Sequence, residues 1–484
     1  MSFRALNLAS TRFPQDLSQW PKGAHRRVHF GQHILWHPYS LGGRHLEPEE
    51  LSAYRYIGDP EVDDLISLLE AHLGRQIGAG EDILRHLEEA SNSENQYVNV
   101  APHSTQKELK AFYEKYSSYP AWVDTASLER GQEVFLAYLG AIGVALYYRS
   151  LVPGFSIPPL AHVLKTTGYL APPSTKQRVQ ERLTDTFAML ILSLTQISSL
   201  QPGVGEGWKA CLQVRFLHAK VRRAILSRSG KRSWQTEKYG VPINEEDMAA
   251  TLLAFSQNSL VGTEILLGFP LPVQERRDFL AVWRYIGWLL GVRVIPDNDN
   301  FVGNDGANPL PRPLDPCGPG WRNERLSSIE HSQSMFESIL THVLHPDDSS
   351  IEVSHYLLWQ GRSKDPQVDE GIQQQNWFYY RCLQCRRFIG DSLADELNLP
   401  LNPNRWNRCR SWIFSTLFLL SLSMYTAAAL PWSPFRALIV SFHRKRLLEF
   451  SKSWHSEHGK RVHDQLSNGQ EKGQSCQFAM LLSP

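Results

Sequence analysis

The chain has 484 residues, of which 42% are hydrophobic and 20% charged, enough to bury a large core and to exclude global disorder. Its 50 Lys and Arg against 49 Asp and Glu leave a net charge of +1, so there is no overall electrostatic drive toward nucleic acid. The 6 Cys are too sparse for a disulfide scaffold and fit a reducing compartment.

The opening residues, MSFRALNLASTRFPQDLSQWPKG, contain no continuous apolar run of the secretory type, so the expectation is an intracellular protein that is not secreted. His25, His29, His33 and His37 follow at every fourth position, with His45 further on. On a helix that spacing would align them for a metal. Gly31 and Pro38 interrupt the segment, which favours a surface or loop arm over residues 1–50.

From there the signals are helical. Residues 60–74 open on Pro and acids and stop at Gly, the polarity that suits a helix dipole. A helix over 105–116 has Thr105 as its cap. Residues 127–151 form a long stretch whose second half is apolar almost all round, as in a buried helix. After the break VPGFSIPP come LAHVLKTTGYL, a long helix over 174–200 and another over 206–228. Asn244 caps the helix that contains TLLAFSQ, and an amphipathic helix covers 271–292. Residues 294–323 are rich in Pro, Gly, Asn and Asp and read as a loop excursion. Helices return at 325–345, 373–390, 405–430 and 433–449, and a polar tail covers 451–484. Few segments alternate with period two. The expected fold is all-α, a single large helical domain over 51–450 between an arm and a tail. Residues 412–430 carry no charge and approach the ~20 residues that cross a bilayer. They read either as a buried core helix or as a membrane segment.

Chemistry concentrates in two places. In residues 206–228, Arg215, His218 and Arg222 lie at offsets of three and seven, within a narrow arc of a helix otherwise rich in apolar residues. Such a stripe either faces solvent or serves a buried anion. An imidazole between two guanidiniums is comfortable as a neutral metal ligand, with each Arg paired to a carboxylate. Haem offers that charge pattern, iron at the centre and propionates at the rim. The second cluster is His162, Lys165 and Thr166, again on one helical face. Lys165 reads as surface decoration or as a desolvated amine able to ligate a metal or move a proton. Cys382 and Cys385 form a CxxC, but no second pair at zinc-like spacing accompanies it.

Several stretches together resemble the latex-clearing protein (rubber oxygenase) family and its fungal relatives, among them the membrane-bound oxygenase of mycophenolic acid biosynthesis. They are Lys165–Thr166 after a long helix, Arg-x-x-His-x-x-x-Arg in VRFLHAKVR, and GVPINEEDMAATLLAFS before FLAVWRYIGWLLGV. GDPEVDD and LPWSPFR extend the likeness over roughly residues 50–445. The resemblance implies a globin-like helical core holding haem b. His218 matches the proximal iron ligand, and Arg215 and Arg222 match arginines of the haem environment. Lys165 matches a distal lysine, Thr166 its neighbour and Thr251 another pocket threonine. The sequence departs from the rubber-cleaving branch in two ways. His162 stands where that branch has Arg, and the acidic residue expected late on the preceding helix is absent from ALYYRSL. His162 could take over proton transfer.

The resemblance therefore implies an oxygenase that uses O2 on an apolar small molecule, by C=C cleavage or oxygenation of a prenylated or polyketide-like metabolite. A cytoplasmic or endoplasmic-reticulum membrane-associated location goes with it. Three alternatives stay open. They are a haem peroxygenase or monooxygenase, a haem-binding pseudoenzyme lacking the acid, and a non-catalytic membrane-associated helical binding protein.

Overall fold

The computed structural model describes residues 25–29, 32–36, 45–46, 48–78, 81–92, 103–168, 176–230, 233–295, 310–320, 326–359 and 370–467. Helix dominates, in line with the all-α expectation, and the described residues 25–29 and 32–36 of the arm are strands. Strands β1 (His25–His29) and β2 (Gln32–Trp36) pair antiparallel, with His25 opposite Trp36 and His29 opposite Gln32. The helix on which a four-residue spacing would align His25, His29 and His33 therefore does not form. His37 lies outside the described residues.

The first helices are α1 (Pro48–Ser52), α2 (Pro60–Leu73), α3 (Ile83–Asn92) and α4 (His103–Tyr116). Helix α2 starts where its sequence says it should. The Asp59 carboxylate accepts from the Val62 amide, Pro60 takes the first turn, and Gly74 closes the helix at φ 66°. Helix α4 begins two residues before Thr105. The stretch 127–151 is not one helix. It divides into α5 (Thr125–Ala137), α6 (Leu139–Ala145), a π-turn over Leu146–Leu151 and a single turn α7 (Val152–Gly154), with a 79° bend between its two halves. Apolar residues on every side gave no preferred face, so packing sets where it bends.

Next come α8 (Pro158–Thr167), α9 (Lys176–Leu194), α10 (Glu206–Leu226), α11 (Thr236–Tyr239), α12 (Glu245–Phe255), α13 (Gln257–Leu267) and α14 (Val273–Leu289). The Asn244 side chain caps α12 by accepting from the Asp247 amide, as its position predicts. After the excursion, mostly outside the described residues, stand α15 (Ser328–Val343), α16 (Asp348–Trp359), α17 (Glu370–Ile389), α18 (Asp391–Glu396), α19 (Arg405–Ala427) and α20 (Arg436–Ser467). The polar tail thus begins as a continuation of α20. One apolar cluster runs from Leu46 to Leu447. Helix α14 lies along α5, α10 along α9, α13 against α6, and α16 against α8, so the core is helix on helix throughout.

Among the described residues no single helix is long and apolar enough to cross a membrane; only the bent pair within 125–154 passes by length and composition. Much of that pair is buried. Helix α19 is not the buried core helix that was one of its two readings. Of its residues only Ser415, Leu419 and Thr426 are buried, and its large apolar side chains face outward.

Candidate functional site

The site grows from α10. Trp208, Cys211, Leu212 and Phe216 of this helix are buried, and the Trp208 indole donates to the Tyr116 carbonyl at 2.7 Å. This fixes α10 against α4 and leaves the Arg215, His218 and Arg222 face turned toward α2, which α10 also contacts.

Arg215 and Arg222 are each 3% exposed, which rules out a solvent-facing stripe. Their partners are the chain's own carboxylates, supplied by GDPEVDD. The Arg215 guanidinium donates to both oxygens of Asp59, at 2.5 and 2.8 Å, and to Glu61 at 2.8 Å. It also lies 5.1 Å from the Tyr116 ring centroid and 5.6 Å from that of Phe112. Arg222 donates to both oxygens of Asp63, at 2.8 and 2.9 Å, and to the carbonyls of Pro242 and Ile243. The expected pairing of each arginine with a carboxylate is thus met within the chain. Asp59, Glu61 and Asp63 already neutralise them, and only the buried Nη1 of Arg215 is left without a partner. Burial alone would raise the Glu61 carboxyl, but Arg215, Lys115 and a hydrogen bond from Tyr116 bring it down to about 2.

Two glycines let the network close. Gly291 sits at φ 92°, and a Cβ there would come 2.5 Å from Asp59 Oδ2 and 2.6 Å from Arg215 Nε. A Cβ on Gly58 would come 2.8 Å from Arg222 Nε. Only residues without side chains allow the backbone so near the two guanidiniums.

Between the arginines lies His218. Its ring is partly covered, and its Nδ1 is buried with no hydrogen-bond partner. Burial, helped by the charge of Arg222 and opposed by Asp59, pushes its pKa down to about 4. The imidazole is thus neutral at physiological pH, with a lone pair free for a metal.

The second cluster is on α8, which packs against α16 and touches α10. His162 is half-buried. Its Nε2 lies 3.1 Å from Asp347 Oδ2 and 2.8 Å from the Tyr239 hydroxyl, and its ring lies against that of Tyr239 with centroids 4.2 Å apart. Lys165 is not desolvated. Its side chain is 44% exposed and its ammonium donates to Glu352 at 2.6 Å. Thr166 is half-buried, and its carbonyl accepts from Arg228 at 2.9 Å, tying α8 to the end of α10. The Thr251 hydroxyl donates to the Asp247 carbonyl one turn back, so it is engaged within α12. In the ALYYRSL stretch, the π-turn buries Arg149, which donates to Asn258 at 2.9 Å and to the Phe388 carbonyl at 2.8 Å.

The structure therefore joins Arg215, His218 and Arg222 on one face, and gathers His162, Lys165 and Thr166 on α8. The partners Asp59, Glu61, Asp63, Tyr239 and Asp347 were not assigned from sequence. The acids of GDPEVDD were the available signal for the first three. Cys382 and Cys385 lie buried together on α17, and Cys385 donates to the Tyr148 carbonyl at 3.2 Å. Among the described residues no group of three His, Cys, Asp or Glu side chains is arranged to hold a metal.

Comparison with known families decides the assignment. The family model "ER-bound oxygenase mpaB/B'/Rubber oxygenase, catalytic domain" matches residues 135–420, more than half of the chain. The chain belongs to this family. It is an oxygenase by family, hence an oxidoreductase. The matched span contains both α8 and α10, while Asp59, Glu61 and Asp63 fall outside it. The solved structure of latex clearing protein in the closed state is similar at 16% sequence identity, over 87% of this chain and 93% of that one, with a TM-score of 0.47. No curated protein matches the chain.

Proposed function

We propose that the chain is a haem b-dependent oxygenase that uses O2 to oxidise an apolar small molecule. The observation that carries this is His218, a neutral imidazole with a buried, unpartnered Nδ1 on a helix locked in place by two buried ion-paired arginines. A buried polar atom without a partner is costly unless something absent from the protein part completes it. His is the common proximal ligand of haem iron, so the donor fits the group.

In this reading His218 holds the iron, which supplies the binding and activation of O2. Arg215 and Arg222 do not reach for propionates. Their ion pairs to α2 fix the rotation of α10 and so the direction of His218. His162 is the chain's proton-holding group on α8. With its proton on Nε2 it donates toward Asp347, and the Tyr239 hydroxyl stands within reach of the same atom. With no Asp or Glu in ALYYRSL, the preceding helix offers no carboxylate there to act as a base. This supports a small apolar substrate over a polyisoprene polymer.

The test is an optical spectrum of protein purified from haem-replete cells. An intense Soret band that shifts with CO is expected, together with its loss in His218→Ala. A colourless wild-type protein, or full haem occupancy in the variant, would refute the assignment.

A further inference from the structure

Helix α19, the turn after it and the start of α20 turn large apolar side chains outward as well as inward. Ile413, Leu417, Leu420 and Met424 recur at helical spacing and all are exposed, Met424 by 74%. With Phe414 and Phe418 beside them, the outward apolar face spans an arc of about 160° at ~100° per residue. It continues through Trp432 (69% exposed), Phe435, Leu438 (69%) and Phe442. On the inward side of α19, Ser415 and Thr426 are buried beside Leu419. The Ser415 hydroxyl donates to Gln384 at 2.9 Å and accepts from Arg387 at 2.7 Å. Thr416 and Thr426 return their hydroxyls to carbonyls of their own helix, as does Ser421 on the exposed side. The Tyr425 hydroxyl meets His443 Nε2 at 3.0 Å, while His443 Nδ1 donates to the Leu136 carbonyl at 2.6 Å. Scattered exposed apolar residues are ordinary on a protein surface; a contiguous face of this width marks an interaction site.

Charge identifies what covers it. Between Glu396 and Glu449 there is no acidic residue. Arg405, Arg408 and Arg410 stand at one open end of the helix–turn–helix, and Lys445 and Arg446 at the other, beside Arg444, whose Nε donates to the Thr195 carbonyl at 3.3 Å. Arg436, the remaining cation, turns inward to Glu275 at 2.6 Å. The apolar apex from Met424 to Leu438 is thus flanked by cations on both sides. A second copy of the chain, meeting the same patch by two-fold symmetry, would bring cations against cations. An anionic lipid surface satisfies both features at once, taking the apex among its acyl chains and the cations at its headgroups. We propose that α19, its turn and the first turns of α20 insert into one leaflet of an anionic bilayer without crossing it. This rests on the surface alone and stands independently of the haem assignment.

The experiment uses the full chain and vesicles of phosphatidylcholine with or without phosphatidylserine. The wild type is expected to float with the anionic vesicles, and bromine-labelled acyl chains are expected to quench its tryptophan fluorescence, an effect much reduced in Trp432→Phe. Leu417→Asn/Phe418→Asn, both at exposed positions, should abolish flotation while keeping wild-type circular dichroism. Tyr56→Asn, exposed elsewhere, should float normally. Arg405→Gln/Arg408→Gln/Arg410→Gln should weaken binding to anionic vesicles about tenfold or more and leave the weaker zwitterionic binding unchanged. Absence of wild-type flotation or of acyl-chain quenching overturns the proposal. So does a lipid-free dimer, seen by analytical ultracentrifugation, that the Leu417→Asn/Phe418→Asn variant dissociates. The quenching measurement needs only the wild type and decides the matter even if that variant misfolds.

Discussion

Replacing Asp59 by Asn tests whether α10 is held by its ion pairs. Arg215 has a side-chain exposure of 3% and Asp59 of 11%, and the two meet through two hydrogen bonds. Removing one charge of such a pair leaves the other buried and uncompensated, at a cost of about 3–5 kcal/mol. Glu61 softens this only partly, because it binds one nitrogen and its side chain is 35% exposed. With an unfolding entropy of about 2.1 cal/mol/K per residue over 484 residues, the total entropy is about 1 kcal/mol/K, so the midpoint should fall by about 3–5 °C. Glu61→Gln should lower it by about 1 °C or less, since solvent screens a partly exposed partner. Asp59→Asn/Arg215→Met removes both charges and should recover much of the loss. Thermal unfolding followed by circular dichroism at matched protein concentration measures all three. A midpoint for Asp59→Asn within 1 °C of wild type, or a double variant as unstable as the single one, would show that the network does not anchor α10.

Gly291→Ala places a Cβ against Asp59 and Arg215 at a positive φ, and should cost more than about 1 kcal/mol; a wild-type unfolding midpoint would contradict the close approach. Acidification should act in two windows. His218 has a folded pKa of about 4, below its ordinary value of 6.5. The unfolded chain therefore takes up the proton first, and stability, full above pH 6.5, declines by up to about 3 kcal/mol as pH falls toward 4. Glu61, held at about 2, contributes stability that is present above its ordinary 4.5 and lost as pH falls through that range. Urea midpoints of haem-free protein across pH 3–8 measure both, and His218→Phe should flatten the upper window. Lys165→Ala should change stability by about 1 kcal/mol or less and alter the ferric haem spectrum with haem retained; an identical spectrum and identical turnover would deny Lys165 a distal role.

Helix α2 was legible because its cap, its Pro and its closing Gly are local signals. The same holds for α12 behind Asn244. The break within 127–151 was not, since an all-round apolar segment carries no record of which neighbours will bend it. Helix α16 was missed for the opposite reason: it is 12 residues long and carries only weak apolar periodicity. At the site, spacing put Arg215, His218 and Arg222 on one face, but a face is ambiguous between solvent and core until its partners are known. Those partners are Asp59 and Asp63, 156 and 159 positions away in the chain. No local pattern pairs them. For α19 the apolar content was plain, whereas its outward direction followed from Ser415 meeting Gln384 and Arg387 on the inner side.

The position of Lys165 bears on how an oxygenase of this family could use it. The resemblance gives it a distal role beside the iron, yet here it reaches outward to Glu352 with both side chains at least 40% exposed. The outward placement is only weakly held. An exposed Lys–Glu pair contributes about 0–1 kcal/mol, less than any ordinary ligand or substrate contact can supply, so the bond to Glu352 cannot lock the side chain. What is fixed is the platform beneath it. Thr166 is tied through its carbonyl to Arg228 at the end of α10, and His162 is held by Tyr239 and Asp347. The backbone of α8 is thereby referenced to the same helix that carries His218, while the Lys165 side chain stays free to swing. Glu352→Gln separates these contributions. If the lysine exchanges between the surface pair and the pocket, loss of the carboxylate should shift the population inward and change the ferric spectrum without changing haem content. If the spectrum is untouched by Glu352→Gln and altered by Lys165→Ala, the surface pair is a bystander and the lysine's inward state is set by the pocket alone.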